Sequence, residues 1–196
     1  MRRLNMPVSD EANELLTSDP FALLIGMVLD QQVPLEKAFS SPLELKRRMG
    51  GELTVRSVSE YNPESFATLF ATPPALHRFP KANAERVQKV AQIIMDDYDG
   101  DAAGVWTSAS TGEQLLQQVT ALPGFGKQKA QIFVALLAKQ MEVRPVGWRQ
   151  ASAPFGEPQS ALSVADIEDK DSLERVRTYK QEKKAAAKAH AAHPTD

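Results

Sequence analysis

Apolar residues recur along this chain at the three- to four-residue spacing of amphipathic helices, and no segment alternates convincingly with the period of two that is typical of a half-buried strand. Residues 21–29 are apolar almost all round, which predicts a buried central helix. Residues 82–98 predict a long amphipathic helix with an apolar stripe made of Ala84, Val87, Val90, Ala91, Ile94 and Met95. The pattern therefore predicts an all-α fold.

Capping residues and prolines divide the rest of the chain into shorter helices. Asp19-Pro20 starts the central helix, because a carboxylate accepts hydrogen bonds from the first N–H groups and proline fits the first turn. Pro34 and Pro42 predict two separate helices, the first ending at residue 39 and the second at residues 50–51. Further helices are predicted over residues 12–16, 57–61, 63–70, 112–122 and 127–140.

A two-glycine turn, Leu-Pro-Gly-Phe-Gly at residues 122–126, precedes the helix predicted over residues 127–140. Its glycines can adopt backbone angles that are closed to other residues. The helix begins with unpaired N–H groups and the positive end of its dipole, to which Lys127 and Lys129 add charge. Such a helix start suits an anion, including a nucleic-acid phosphate. An ordinary helix–turn–helix corner is the alternative interpretation of this spacing.

The segment at residues 122–130, L-P-G-F-G-K-Q-K-A, resembles the helix–hairpin–helix signature of the HhH-GPD base-excision DNA glycosylases. The whole chain looks like an actinobacterial-type branch of this superfamily without the iron–sulfur cluster. Residues 23–39 are similar to the family helix that ends in a glutamine-bearing loop, and residues 77–98 to the helix before the hairpin. The resemblance covers residues 20–150, roughly, and implies a two-lobed helical DNA-glycosylase-like fold with a cleft. It also implies DNA contacts at Leu122, Gly124, Phe125, Gly126, Lys127, Gln128 and Lys129.

The chain departs from the family at both positions that carry its catalytic chemistry. Val146 occupies the position of the usual aspartate, and no Asp occurs from residue 104 to residue 165. Gln128 occupies the position of the lysine that forms a Schiff base in bifunctional members. Asp30 and Glu142 are the candidate replacements, because a carboxylate that faces the sugar stabilises the positive charge developing as a base departs. A surface or capping role is the alternative for each acid.

Other candidate site residues follow from the resemblance. Gln31 and Gln32, with Gln32 preferred, enter the duplex and bond base edges after a nucleotide has been turned out, unless both amides cap the helix end. Trp148 and Arg149 lie near the base pocket, where an indole stacks on an extruded base and an arginine holds a phosphate. A buried core tryptophan is equally compatible with the sequence. His77 either lines the cleft or packs at the start of the helix that follows it.

Composition limits the possible classes of function. The chain of 196 residues has no cysteine, which excludes disulfides, thiol catalysis and an iron–sulfur cluster ligated by cysteine. Neither a long apolar span nor a signal-peptide core occurs, so we expect a cytoplasmic, nucleoid-associated protein without membrane contact. The formal net charge of −2 confines any DNA-binding surface to a local patch. We expect no metal site and no cofactor, apart from a monovalent cation that the resemblance implies at the hairpin.

The sequence predicts three regions. Residues 1–150 form a glycosylase-like domain with the hairpin at residues 115–140, and residues 151–176 form a loop and helix that pack on it. Residues 177–196 form a Lys/Ala-rich tail, expected to be a solvated helix or a weak contact for DNA phosphates.

Two functional hypotheses follow. The first is a monomeric, monofunctional DNA N-glycosylase that flips out and excises a damaged base from double-stranded DNA. A cationic alkylated base is the favoured substrate on chemical grounds, because its leaving group is already activated. The alternative is a non-catalytic protein that recognises lesioned or distorted DNA. A protein-interaction domain on the same scaffold fits the acidic net charge but leaves the hairpin lysines unexplained.

Overall fold

The computed structural model describes residues 4–192, and the side chains of residues 4–186. Eleven α-helices form in this part of the chain. They are α1 (Asp10–Ser18), α2 (Pro20–Leu29), α3 (Leu35–Arg48), α4 (Val55–Ser59), α5 (Pro63–Ala71), α6 (Pro80–Asp97), α7 (Gly104–Thr107), α8 (Gly112–Ala121), α9 (Lys127–Gln140), α10 (Trp148–Ala151) and α11 (Lys170–Ala192). A 3₁₀ helix spans Val164–Asp166, and Thr111 and Val146 form an isolated β-bridge. The prediction of an all-α fold is confirmed.

Helix α2 is the central element of the core. Every residue from Phe21 to Leu29 is buried, and the helix packs against α1, α3 and α6. Its start has the predicted cap, because Asp19 Oδ1 accepts from the backbone N–H groups of Phe21 and Ala22 at 2.9 and 3.2 Å. Each large aliphatic side chain buried here contributes about 1.5–3 kcal/mol. This burial fixes the position of the loop that follows Leu29.

The helices pack in two groups that share one hydrophobic core. Helices α1–α6 contact mainly one another, whereas α7–α10, the 3₁₀ helix and the start of α11 form the second group. This division agrees with the two lobes expected from the sequence. No single helix in the described part of the chain is long and apolar enough to cross a membrane, and α1 and α2 pass that test only as a pair bent by 113°.

Helix α3 corrects the prediction of two separate helices around Pro42. The helix is continuous from Leu35 to Arg48, with Pro42 inside it. An internal proline costs about 3 kcal/mol, because it removes one backbone hydrogen bond and crowds the preceding turn. Phe39 and Leu45 on either side are fully buried, and their burial offsets this cost. Long-range packing therefore overrides the local signal.

The segment after α9 is held by a buried polar cluster at the end of that helix. Lys139 Nζ lies 2.6 Å from Asp166 Oδ1, and the Asp166 side chain is only 3% exposed. The same carboxylate accepts from the Ser160 hydroxyl and from two backbone N–H groups, at Leu162 and Ser163. Every bonding direction of this acid is used within the fold. The cluster therefore anchors the 3₁₀ helix against α9.

Helix α11 and the residues just before it contact segments from the N-terminal part of the chain. It begins at Lys170 and continues without a break through residue 177, where the sequence predicted a tail to start. Arg177 forms an ion pair with Glu36 at the start of α3, and Asn5 Nδ2 donates to the carbonyl of Glu168 at 2.9 Å. Residues 193–196 of the predicted tail lie outside the described residues. Segments near the two ends of the chain thus contact each other.

The close approach of α8 and α10 gives a stability prediction. A Cβ atom added at Gly112 would lie 2.5 Å from Trp148 Cα and 2.6 Å from its backbone nitrogen, neither of which belongs to a movable side chain. We expect Gly112→Ala to lower the free energy of unfolding by about 1–3 kcal/mol, measured by urea denaturation.

Gly126→Ala is the matched control for this substitution. Gly126 has an ordinary φ of −72°, and no atom lies within 4 Å of an added Cβ. The two variants should therefore differ clearly in their denaturation midpoints. Equal midpoints would contradict the packing described for Gly112.

Candidate functional site

The two-glycine turn presents the start of α9 to solvent. Gly124 has a φ of +92°, and the Phe125 N–H donates to the Leu122 carbonyl at 3.1 Å to close the turn. Gly126 caps α9 without any side-chain hydrogen bond, and Gly126, Lys127 and Gln128 are exposed. The first N–H groups of α9 and the Lys127 charge are therefore available to an anion.

Two of the predicted DNA-contacting residues have their side chains in the core. Leu122 and Phe125 are 2% and 3% exposed, and the Phe125 ring lies 5.7 Å from the ring of Phe133 on α9. Their apolar side chains hold the turn against the protein. Contact between these residues and a ligand is accordingly limited to their backbone atoms.

The loop after α2 lies directly beside the turn. A cavity of about 460 Å³ between them is lined by Met27, Asp30, Gln31, Gly124, Gly126, Lys127, Gln128, Lys129 and Ile132. Lys129 Nζ donates to the carbonyl of Val28 at 3.1 Å, so this lysine ties α9 to the end of α2. The structure thus brings the predicted loop residues and the predicted hairpin residues to one surface, which we call the hairpin cavity.

An acid and a lysine of perturbed pKa both line the hairpin cavity. Burial lowers the pKa of Lys129 to about 8, an effect that the charge of Asp30 opposes and that of Arg86 increases. Burial likewise raises the pKa of Asp30, although the positive charges of Lys180 and Lys129 act in the opposite direction. Asp30 is half-buried, so the carboxylate is neither a surface group nor fully removed from solvent.

The two glutamines of the loop, Gln31 and Gln32, are exposed, and their side chains do not cap the end of α2. Gln32 has a positive φ of 58°, which turns the chain sharply after α2. The helix end is closed by backbone groups, since the Asp30 N–H donates to Gly26 and the Gln31 N–H to Leu29. Within the described residues, neither glutamine side chain donates to or accepts from this helix end. The capping alternative is therefore not realised.

His77 is buried at the entry to α6 and supports the glutamine loop, and it is not among the residues that line the hairpin cavity. Its ring accepts at Nδ1 from the Phe79 N–H at 3.1 Å and faces the Asn83 amide at 2.8 Å. Nε2 must then carry the proton, and it donates to the carbonyl of Gln31 at 2.8 Å. Burial lowers the pKa of His77, which favours this neutral form.

Arg86 on α6 is a residue of the site that the sequence did not reveal. A Cβ at Gly124 would lie 2.5 Å from Arg86 Cδ, so the arginine stem lies directly against the turn. Arg86 Nη1 donates to Asn83 Oδ1 at 2.9 Å, which links it to His77. A small cavity of about 110 Å³ between this region and the glutamine loop is also lined by Phe79, whose ring is 46% exposed. Only the folded chain brings these positions together, and no local signal identifies them.

The remaining sequence candidates lie away from the hairpin cavity. Glu142 is exposed just beyond the end of α9, about 20 Å along the helix axis from its start at 1.5 Å per residue. Val146 is 81% exposed, and its carbonyl accepts from Gly112 at the beginning of α8, the end of that helix opposite to the turn. Trp148 and Arg149 line a different cavity. Of the two candidate acids, the structure therefore places only Asp30 at the hairpin.

No group of acidic or histidine side chains within the described residues is arranged to hold a metal ion. A monovalent cation at the hairpin stays a prediction.

Comparison with known proteins identifies the family. The family model described as "HhH-GPD superfamily base excision DNA repair protein" matches residues 25–194. Neither the curated proteins nor the solved structures include a match to the chain. The matched stretch covers most of the chain and contains the turn, the glutamine loop and the hairpin cavity. This protein belongs to the HhH-GPD superfamily of base excision DNA repair proteins.

Proposed function

We propose that this protein is a monofunctional DNA N-glycosylase in which Asp30 is the catalytic carboxylate. The observation that carries the proposal is the placement of Asp30 in the hairpin cavity, beside the exposed start of α9. Superfamily membership supplies the coarser function, base excision DNA repair. The choice of acid and the type of reaction are inferred from the chemistry of this cavity.

DNA is held first through its phosphates. The exposed N–H groups at the start of α9 and the Lys127 ammonium provide a positive site for one phosphate of the damaged strand. The exposed Gln31 and Gln32 then enter the duplex and occupy the space that the extruded nucleotide leaves. The neutral His77 supports this step, because it holds the Gln31 carbonyl and thereby the backbone of the loop.

Hydrolysis needs a negative charge near the sugar. As the base departs, positive charge develops on the deoxyribose, and the Asp30 carboxylate stabilises it or orients the attacking water. Burial strengthens this interaction, because a charge in a partly water-excluded site is less screened. A cationic alkylated base leaves without prior protonation, so it is the substrate class that a site with one carboxylate serves best.

The second candidate function is recognition of lesioned DNA without cleavage. It is favoured by one observation, namely that the position of the family aspartate is Val146 and that this residue lies away from the hairpin. Both candidates use the same turn and glutamine loop, and they differ only in what Asp30 does.

A glycosylase assay with variants of both acids separates the two candidates. On duplexes that contain 3-methyladenine, 7-methylguanine, hypoxanthine, uracil or an 8-oxoguanine mismatch, we expect release of an alkylated base. Asp30→Asn should lower the single-turnover rate about 100-fold or more, whereas Glu142→Gln, as matched control, should leave it unchanged.

The raised pKa of Asp30 predicts how the wild-type rate depends on pH. The reaction requires the ionised carboxylate, and burial raises its pKa above the ordinary value of 3.8. As the pH is lowered, the single-turnover rate should therefore begin to fall at a pH higher than 3.8.

The outcomes of this assay are distinct. Tight binding to an abasic analogue without release from any duplex would favour the lesion-binding function. Release that survives Asp30→Asn would refute the role given to Asp30. Trapping of a covalent protein–DNA adduct by borohydride would show that the enzyme is not monofunctional.

The phosphate contact predicts a change in the salt dependence of DNA binding. We expect Lys127→Gln to weaken binding to any duplex and to reduce the slope of log K against log[salt] by about 1, because one phosphate contact is lost. Arg56→Gln on α4 is the control, since Arg56 is exposed and pairs with Glu60 away from the cavity. An unchanged slope for Lys127→Gln, measured by fluorescence anisotropy, would remove the hairpin from the binding surface.

The proximity of Asp30 and Lys129 predicts a measurable coupling. The pKa of Lys129 is about 8 and is supported by the negative charge of Asp30, so Asp30→Asn should lower it further. The measurement is an NMR titration of the lysine side-chain signals in the full-length protein. Glu142→Gln should leave the Lys129 pKa at about 8. An equal value in the wild type and in Asp30→Asn would show that the two groups do not interact.

A further inference from the structure

A second large cavity lies at the opposite end of α9 from the hairpin. It has a volume of about 720 Å³ and is bordered by α9, α10, the loop before the 3₁₀ helix and the start of α11. The lining residues used below are Lys139, Arg144, Trp148, Arg149, Asp169 and Arg175. None of the residues that line this cavity also lines the hairpin cavity. Lys129 and Lys139 are ten residues apart on α9, which corresponds to about 15 Å along the helix axis.

The three acids that border this cavity, Asp166, Glu168 and Asp169, all have partners. Asp166 is neutralised by Lys139, as described above. The Asp169 carboxylate accepts from the Ser172 N–H at 2.8 Å and from its hydroxyl at 2.7 Å, and the Arg175 charge lies close enough to help lower its pKa. Asp169 thus caps the start of α11.

Two guanidinium groups that line the cavity, by contrast, have no acidic partner among the residues that the structure describes. Arg144 Nε donates to the Ala138 carbonyl at 2.8 Å, which fixes its stem and leaves its terminal nitrogens unbonded within the described residues. The Arg149 side chain makes no hydrogen bond or ion pair in the same part of the chain, and the residue is exposed. Guanidinium groups with free terminal nitrogens bind phosphate oxygens in a bidentate manner.

Trp148 gives the cavity a fixed aromatic surface. Its ring is half-buried, and the Arg149 guanidinium carbon lies 4.9 Å from the ring centroid. The backbone of Trp148 is packed against Gly112, and its carbonyl accepts from Ser152, so the position of the ring relative to α8 is constrained. A preorganised indole next to a guanidinium suits a planar base that carries a phosphate.

We propose that this cavity is a second nucleotide-binding site, separate from the hairpin cavity. The base stacks on Trp148, and the phosphate is held by Arg144 and Arg149. The volume lies within the range of small-molecule sites, about 300–1,000 Å³, and accommodates one nucleotide. The nucleotide is either free in solution or part of a single DNA strand, which share this chemistry. The proposal does not depend on glycosylase activity or on Asp30.

The test uses the two tryptophans of the full-length protein as reporters. Trp106 is buried in the core at 5% exposure, so a change of emission on adding a nucleotide reports on Trp148. The probes are dAMP, deoxyadenosine, inorganic phosphate and a short single-stranded oligonucleotide. We expect saturable quenching by dAMP, weaker binding of deoxyadenosine and of phosphate alone, and no quenching in Trp148→Phe. Tighter binding of the oligonucleotide than of dAMP identifies a DNA strand as the source, and the reverse identifies a free nucleotide.

Substitutions assign the phosphate contact. Arg149→Gln and Arg144→Gln should each weaken dAMP binding about tenfold, the effect of losing one charge-assisted contact. Arg56→Gln should have no effect, and neither should Lys127→Gln, which weakens duplex binding at the hairpin. Circular dichroism and melting temperature establish that each variant is folded. Absence of quenching by both dAMP and the oligonucleotide, or unchanged affinity in the Arg144→Gln/Arg149→Gln double variant, would overturn the proposal.

Discussion

The hydrogen bond from Lys129 Nζ to the carbonyl of Val28 is the contact on which the arrangement of the site depends. It joins the first turn of α9 to the end of the buried helix α2, two segments that lie about a hundred residues apart in the chain. The carbonyl comes from a helix end, where the last C=O groups lack intrahelical partners. One lysine therefore satisfies an orphan acceptor and places Asp30 beside the two-glycine turn.

A second set of contacts gives this arrangement its rigidity. His77 and Arg86 both form hydrogen bonds with Asn83 on α6. His77 also bonds to the Gln31 carbonyl, and the stem of Arg86 lies against Gly124. The glutamine loop and the turn are thus supported by the same helix. Burial, together with the positive charges of Arg86, Lys129 and Arg78, lowers the pKa of His77, and the neutral ring makes all of these hydrogen bonds. The proposed function at this site needs such fixed geometry, because residues that bind a substrate must be held in place by the residues behind them.

The parts of the structure that the sequence predicted are those decided by neighbouring residues. The cap at Asp19, the apolar run of α2 and the turn at Gly124 each depend on a few consecutive positions, and each forms as predicted. The continuous helix through Pro42, the contact of Arg86 with Gly124 and the position of Trp148 depend instead on packing between distant segments. The sequence identified Trp148 as a residue suited to stacking on a base, but the spacing after the hairpin contained no information about which cavity it would line.

The positions of Trp148 and of Val146, which stands where the family has its aspartate, have one physical origin. The chain after α9 pairs Val146 with Thr111, and the next residues pack so closely on Gly112 that no Cβ fits between them. This packing commits residues 146–148 to the beginning of α8, which lies about 15 Å along that ten-residue helix from the turn. An acid at position 146 would stand at the wrong end of α8 to act on a nucleotide held at the hairpin. Among the residues that line the hairpin cavity, the carboxylate is that of Asp30, which follows the last buried turn of α2.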